Sequence, residues 1–285
     1  MKIVKLSQAE FPPQLSETPE PPKDLWRAGQ LPSRDTTLLT VVGARKHSAY
    51  GKEACESLIA GLAGYDITIV SGLALGIDSI AHRSAMKAGL RTLAVPGSGL
   101  DPSVLYPRSN VQLAEEIVNA GGALLSEFSP ETPAAPWTFP KRNRIMAGLA
   151  KATLVIEAER RSGTLITSRL ATDYNRDVFA VPGEIFSLLS EGPNMLIALG
   201  ATPIHESADI IRALGFAFDE TPLSEKDYSH LSEEEQTVMA ALTSMKYREQ
   251  LIEELELSPS EGNILLMKME IAGHIKETAH GIRIA

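Results

Sequence analysis

The stretch "TLLTVVGARKHSAYGKEACESLIAGLAGYDITIVSG", Thr37 to Gly72, holds a complete strand–helix–strand unit. Residues 37–43 form a short apolar run that stops at Gly43. Residues 49–64 read as an amphipathic helix ending at a glycine, and 67–72 as a second apolar strand. Strands that are apolar almost throughout belong to parallel sheets covered by helices on both faces. The alternation continues outward from this unit. Helices are predicted at 77–89, 110–122, 142–151 and 164–175, and strands at 92–97, 123–128, 152–158 and 177–183. Short helices follow at 194–201 and 207–215. The pattern predicts an α/β fold: a doubly wound, mainly parallel sheet. Its strands end at Gly43, Gly72, Gly97, Ser126, Ala158 and Gly183, and ligands of such sheets bind outside those carboxyl ends.

Two segments flank this body. Residues 1–36 are rich in proline and turn formers and read as an irregular arm that packs through Phe11, Leu15, Leu25 and Trp26. Residues 218–230 read as a polar, acidic linker. Residues 231–285 then show three helical segments, at about 231–244, 247–256 and 259–270, and two short strands with a turn near His280 and Gly281. Ser258-Pro259-Ser260-Glu261 is a capping box with proline at the first helical position. Three helices and a terminal hairpin make a winged-helix pattern.

Charge is unevenly spread. The chain of 285 residues carries a net charge of −9. Residues 216–285 hold 14 acidic and 6 basic side chains, net −8, so the remaining body is nearly neutral. Within it, residues 137–176 hold 8 basic and 3 acidic side chains, net +5. That local positive charge is what an anionic partner would meet. The single cysteine, Cys55, excludes an internal disulfide and a cysteine-based zinc site, and reads as a small buried hydrophobe. Without a long apolar run or a secretory signal, a cytoplasmic setting is expected.

The loops after the strands carry the candidate chemistry. After the first strand, "VVGARKHSAYG" (41–51) offers Gly43 for a tight turn and Arg45 for an anion; neither the dinucleotide fingerprint nor the phosphate loop of nucleotide triphosphatases is present. In "SGLALGIDSIAH" (71–82), Ser71, Gly72 and Gly76 suit a backbone anion cradle. Asp78 and His82 stand four apart on the following helix, placed to hydrogen-bond each other. Gly97 and Ser98 make a third permissive turn. In "FPKRNRIMAGL" (139–149), Lys141, Arg142 and Arg144 bracket Asn143 beside Phe139 and Trp137. Cations neutralise phosphates and an aromatic face stacks a base. Basic residues at a helix start oppose its dipole, which calls for a bound anion or a carboxylate, with Glu157 the candidate. At a further strand-to-helix junction Arg160 or Arg161 converges with Ser162, Gly163 and Thr164 as the best anion site. No nucleophile elbow, paired acids or metal set accompanies them, so the site reads as built to hold, with no cofactor.

Taken together, "VVGARKHSAYG", "SGLALGIDSIAH", "LAVPGSGLDPSVLYPRSN", "FPKRNRIMAGLAKATLVIEAERRSGTLITSRLA" and "DVFAVPG", in this order, resemble the DNA-processing protein A (Smf) family, most strongly over 41–201. The resemblance implies an extended Rossmann-like domain at 37–217 that binds single-stranded DNA, and a small winged-helix domain at 231–285. It also implies a homodimer that helps load the RecA recombinase during natural transformation, without a settled enzymatic activity. Where the family usually reads S-G-L-A-R-G-I-D, with an arginine that contacts DNA, this chain has Leu75. The loss of one charge-assisted contact is worth about 1–3 kcal/mol. The acidic tail points to protein contact or regulation rather than to DNA. Two further readings stand beside DNA binding. One is a nucleotide-sensing domain. The other is a nucleoside-monophosphate hydrolase, against which Ser168 stands where the P-G-G-x-G-T-x-x-E signature requires an acid.

Overall fold

The computed structural model describes residues 1–217, 231–242, 245–278 and 281–284. The expected linker and His280 lie outside the described residues. The chain divides into two compact units, Met1–Phe218 and Asp219–Ala285.

In the first unit the elements run β1 (Ile3–Lys5), β2 (Trp26–Gly29), β3 (Thr37–Val42), α1 (Ala49–Ala60), β4 (Ile67–Ser71), α2 (Ile77–Lys87), β5 (Arg91–Ala94), α3 (Val111–Asn119), β6 (Ala123–Ser126), α4 (Thr138–Leu149), β7 (Ala152–Val155), α5 (Thr164–Asp173), β8 (Asp177–Ala180), α6 (Glu191–Ala198), β9 (Thr202–Pro203) and α7 (Ser207–Ala213). They build one nine-stranded sheet in the order β1-β2-β6-β5-β4-β3-β7-β8-β9. Every pairing from β6 through β9 is parallel. Strands β1 and β2 join antiparallel at the β6 edge.

The apolar strands alternate between two cores, as their period of two requires. Leu39, Val41, Ile67, Ile69 and Leu154 pack with Cys55, Leu58, Ile59, Ile77 and Ile210 from α1, α2 and α7. Leu38, Val42, Val70, Leu93 and Val155 face the other way, onto Ile145, Met146 and Leu149 of α4 and Leu6, Leu15 and Leu25 of the arm. Burial pushes the Cys55 thiol far up, so it stays an inert apolar filler. The arm is thus more ordered than its prolines suggest: two short strands cap the sheet edge, with Ala28 fully buried.

The strand order reverses at β3. β4, β5 and β6 lie on one side of it and β7, β8 and β9 on the other. The crevice beyond β3 is therefore the topological switch point, where an open α/β sheet has room for a ligand.

The second unit comprises α8 (Glu233–Ala241), α9 (Arg248–Glu254), α10 (Pro259–Ile271), β10 (Ile275–Thr278) and β11 (Gly281–Ile284). β10 and β11 form an antiparallel hairpin, and Lys246, between α8 and α9, bridges to Ile282. The Ser258 hydroxyl accepts the Glu261 N–H while the Glu261 carboxylate accepts the Ser258 N–H, completing the capping box that starts α10. Val238, Leu251, Leu266, Met269 and Ile282 fill a separate core.

Candidate nucleic-acid interface

A cleft of about 570 Å³ lies at the switch point. The β3–α1 loop supplies Gly43, Arg45 and Lys46; α4 supplies Phe139, Arg142 and Asn143; the turn into α5 supplies Ser162, Gly163 and Thr164. Among the described residues Arg45 and Lys46 make no ion pair, and both are exposed. Their charge is available to a ligand.

Arg142 forms the floor. It is buried, with Nη1 donating to the Val95 carbonyl at 2.9 Å and to the Gly72 carbonyl at 2.5 Å, and Nε donating to Asn143 Oδ1 at 3.0 Å. Nη2 makes no hydrogen bond to a described residue, and Arg142 lines the cleft. Its counter-charge is Asp78, also buried, whose Oδ2 accepts the Gly72 N–H at 3.1 Å and the Ala74 N–H at 3.4 Å. Burial pushes the Asp78 carboxyl up and the Arg142 guanidinium down, and each partly offsets the effect on the other. The arrangement requires glycine at 72: a Cβ there would sit 1.7 Å from Arg142 Nη1. Gly76, at φ +77°, turns the β4–α2 loop against the carbonyls of Ala44 and Arg45.

An aromatic wall borders the cleft. The Arg45 guanidinium stands 5.5 Å from the centre of the Phe139 ring, and Tyr106 meets Phe139 edge-on at 5.8 Å. Farther along, Lys141 Nζ lies 5.2 Å over the exposed Trp137 ring. Gly97 lies beneath Phe139, and its carbonyl accepts the Thr138 hydroxyl. Leu75 is exposed beside Arg45, Tyr106 and Phe139, so an apolar group faces solvent at the aromatic end. The helix α5 begins in the lining with the Ser162 hydroxyl accepting the Thr164 N–H, while the Thr164 hydroxyl ties the turn to the Gly43 carbonyl at 3.1 Å. Its positive dipole end suits an anion.

The structure brings Gly43, Arg45, Phe139, Arg142, Asn143, Ser162, Gly163 and Thr164 to one place, and corrects other expectations. Ser71 and Ser98 are fully buried, their hydroxyls donating to the carbonyls of Val41 and Gly99, so they support the loops from below. Arg144 pairs with Glu127 and donates to the Glu20 carbonyl, away from the lining. Helix α4 begins at Thr138, four residues earlier than expected, so the cations sit beyond its first residues and the dipole argument for a bound anion weakens. Glu157 is not their partner: it is buried and accepts from the Ser48 N–H and hydroxyl at the start of α1. Arg161 is exposed on the turn beside the lining rather than in it. Asp78 and His82 do not bond each other, for His82 Nδ1 meets the Thr92 hydroxyl at 2.7 Å. That hydroxyl donates to the Ile69 carbonyl, so the imidazole donates to it through Nδ1. Ser168 is buried, its hydroxyl donating to the Leu165 carbonyl of its own helix, so no acid stands at that position. Sequence reasoning passed over Lys46 and Tyr106, although a second cation after Arg45 and an aromatic in a strand-end loop were both visible signals.

No helix among the described residues is long and apolar enough to cross a membrane. The chain is similar to Protein Smf of Escherichia coli (strain K12), with 42% identity over 212 residues, 74% of this chain and 56% of that protein. It is 41% identical over 206 residues to DNA processing protein DprA of Streptococcus pneumoniae, 72% of each chain. The chain thus spans a little over half of the first relative's length. The solved structure of DNA processing protein A from Streptococcus pneumoniae superposes with a TM-score of 0.69 at 38% identity, covering 76% of this chain and 75% of that one. DNA processing protein A from Helicobacter pylori, whose structure is described for its single-stranded DNA binding mode, superposes with a TM-score of 0.66 at 28% identity, over 75% and 95% of the two chains. The profile of the DNA recombination-mediator protein A family matches residues 2–215, and with these similarities the chain belongs to that family.

Proposed function

We propose that the first unit holds single-stranded DNA in the cleft at the switch point. The observation that carries this reading is the juxtaposition of two exposed cations, Arg45 and Lys46, the buried Arg142 guanidinium, a helix start and an aromatic wall. Arg45, Lys46 and Arg142 face the phosphates, with Lys141 beyond Trp137. Phe139, Tyr106 and Trp137 provide flat faces for unstacked bases, as non-specific single-strand binding requires. The likeness to the Streptococcus and Helicobacter proteins supports the same reading.

In this reading the chain acts in DNA uptake as a homodimer in the cytoplasm, protects incoming single-stranded DNA and helps load the RecA recombinase onto it. It binds and delivers DNA and catalyses no reaction. The exposed Ile185, Phe186, Leu188 and Leu199, which flank α6 in the chain, support a protein-covered surface. The element order of the second unit, three helices and a hairpin with a single bridge from Lys246 to Ile282, supports a winged-helix reading.

The test compares a labelled single strand, its duplex and mononucleotides. Binding of the single strand alone is the expected result. Saturable thermal stabilisation by a mononucleotide, without oligonucleotide binding, would favour a nucleotide-sensing domain instead. For delivery, the chain is expected to accelerate RecA filament growth on a strand already coated with single-strand binding protein.

A further inference from the structure

Helix α10 of the second unit is apolar on two opposite faces. Gly262, Leu265, Leu266 and Met269 point into that unit's core. Ile264, Met267 and Ile271 are 67%, 61% and 81% exposed. Separations of three and seven residues place these three on one stripe of the helix surface. A solvated helix face is ordinarily polar, and single exposed apolar residues need no explanation, but a stripe of three along one helix does.

The borders of the stripe carry two acids, one cation and one amide. Glu261 and Lys268 flank one side, Asn263 and Glu270 the other. The cations nearby are committed: Lys268 Nζ lies 3.1 Å from Glu235, and Arg248 pairs with Glu277 and donates to Asn263. Glu270 accepts the Glu277 N–H at 3.2 Å and helps raise the Arg248 guanidinium, whose hydrogen-bonded partner is Glu277. Among the described residues the Glu261 carboxylate bonds Ser258 of its own cap, which holds its carboxyl below the usual range. The whole segment 216–285 is net −8. Phosphate backbones and anionic lipid surfaces are repelled by such a rim, and an apolar stripe offers a phosphate nothing.

We propose that the outer face of α10 is a docking surface for a protein partner, engaged by an amphipathic helix that seats apolar side chains on Ile264, Met267 and Ile271 and sets lysines or arginines against Glu261 and Glu270. Helix-on-helix docking of this kind reads out anchors at spacings of three, four and seven. Complementary charge on the rim sets orientation and encounter rate more than affinity. The surface lies in a different unit from the DNA cleft and does not depend on it.

The full chain, labelled at its methionine methyls, tests this by NMR. The probes are a leucine–lysine peptide patterned as an amphipathic helix and its leucine–glutamate counterpart. The expected result is a saturable shift of the Met267 methyl with the lysine peptide and none with the glutamate peptide. Ile264→Asp should weaken that binding about tenfold or more, with the buried Met269 methyl unmoved as the control for folding. The proposal is overturned if Met267 does not respond, if both peptides act alike, or if Ile264→Asp binds like the unmodified chain. It is equally overturned if Met267 shifts on concentrating the chain alone, which would assign the stripe to a second copy, or on adding a single-stranded oligonucleotide.

Discussion

Gly72→Ala is the substitution that most sharply tests how the cleft is built. A Cβ at position 72 would lie 1.7 Å from Arg142 Nη1, 2.5 Å from its Cζ and 2.7 Å from Asp78 Oδ2. Contacts that short cannot persist, so the guanidinium must move. It then loses its bonds to the carbonyls of Gly72 and Val95 inside a buried site. Each hydrogen bond to a charged group is worth about 1.5–3 kcal/mol, and the guanidinium loses two of them. The expected loss is therefore about 3–6 kcal/mol, a large share of the roughly 5–15 kcal/mol that stabilises a domain. Gly163→Ala provides the control, because a Cβ there meets nothing within 4 Å and the backbone needs no positive φ. Urea unfolding followed by tryptophan fluorescence reports on this unit, since both tryptophans, Trp26 and Trp137, lie in it. Gly72→Ala should lower the midpoint strongly and Gly163→Ala hardly at all. If the two variants unfold within about 1 kcal/mol of each other, Arg142 is not held as described.

Other substitutions separate structural from binding roles. Arg144→Ala removes the ion pair with Glu127 and should cost about 1–3 kcal/mol in urea unfolding, while single-strand affinity stays unchanged. Leu75→Arg returns a cation to the aromatic end of the cleft; anisotropy should show tighter binding and a log–log salt slope steeper by about 0.7. His82 is buried and its imidazole is pushed down to about 3 by burial, then by the Arg142 charge. The folded state therefore refuses a proton that the unfolded chain takes near pH 6.5. The stability this group provides is complete above that pH and is lost as pH falls toward 3, at up to about 1.4 kcal/mol per pH unit. Unfolding midpoints measured at pH 7 and pH 5 should differ less for His82→Gln than for the unmodified chain.

The parallel sheet was legible because β3, β4 and β7 are buried on both faces and so read as unbroken apolar runs. The arm was not: β2 is four residues long, sits among prolines, and becomes a strand only because β6 offers an open edge. That Arg45 and the Gly163 turn line the cleft was legible because a strand end followed by a helix start fixes where they lie. Arg142 and Arg144 could not be told apart in the same way. Two residues apart on α4, they diverge by about 200° around the helix, one toward Gly72 and the other toward Glu127. Which acid serves which cation depends on the crossover of α4 past β3, so Glu157, close in sequence to the basic cluster, caps α1 instead, while Asp78 faces Arg142.

The most direct measurement is the salt dependence of single-stranded oligonucleotide binding by fluorescence anisotropy, for the unmodified chain and for Arg45→Ala with Lys46→Ala. These two exposed cations bear no part of the core, so the variant should stay folded. Tight binding by the unmodified chain, and a slope shallower by about 0.7 for each phosphate contact removed, is the expected result. Binding that keeps the same affinity and slope in the variant would contradict the assignment of the switch-point cleft as the DNA-holding surface.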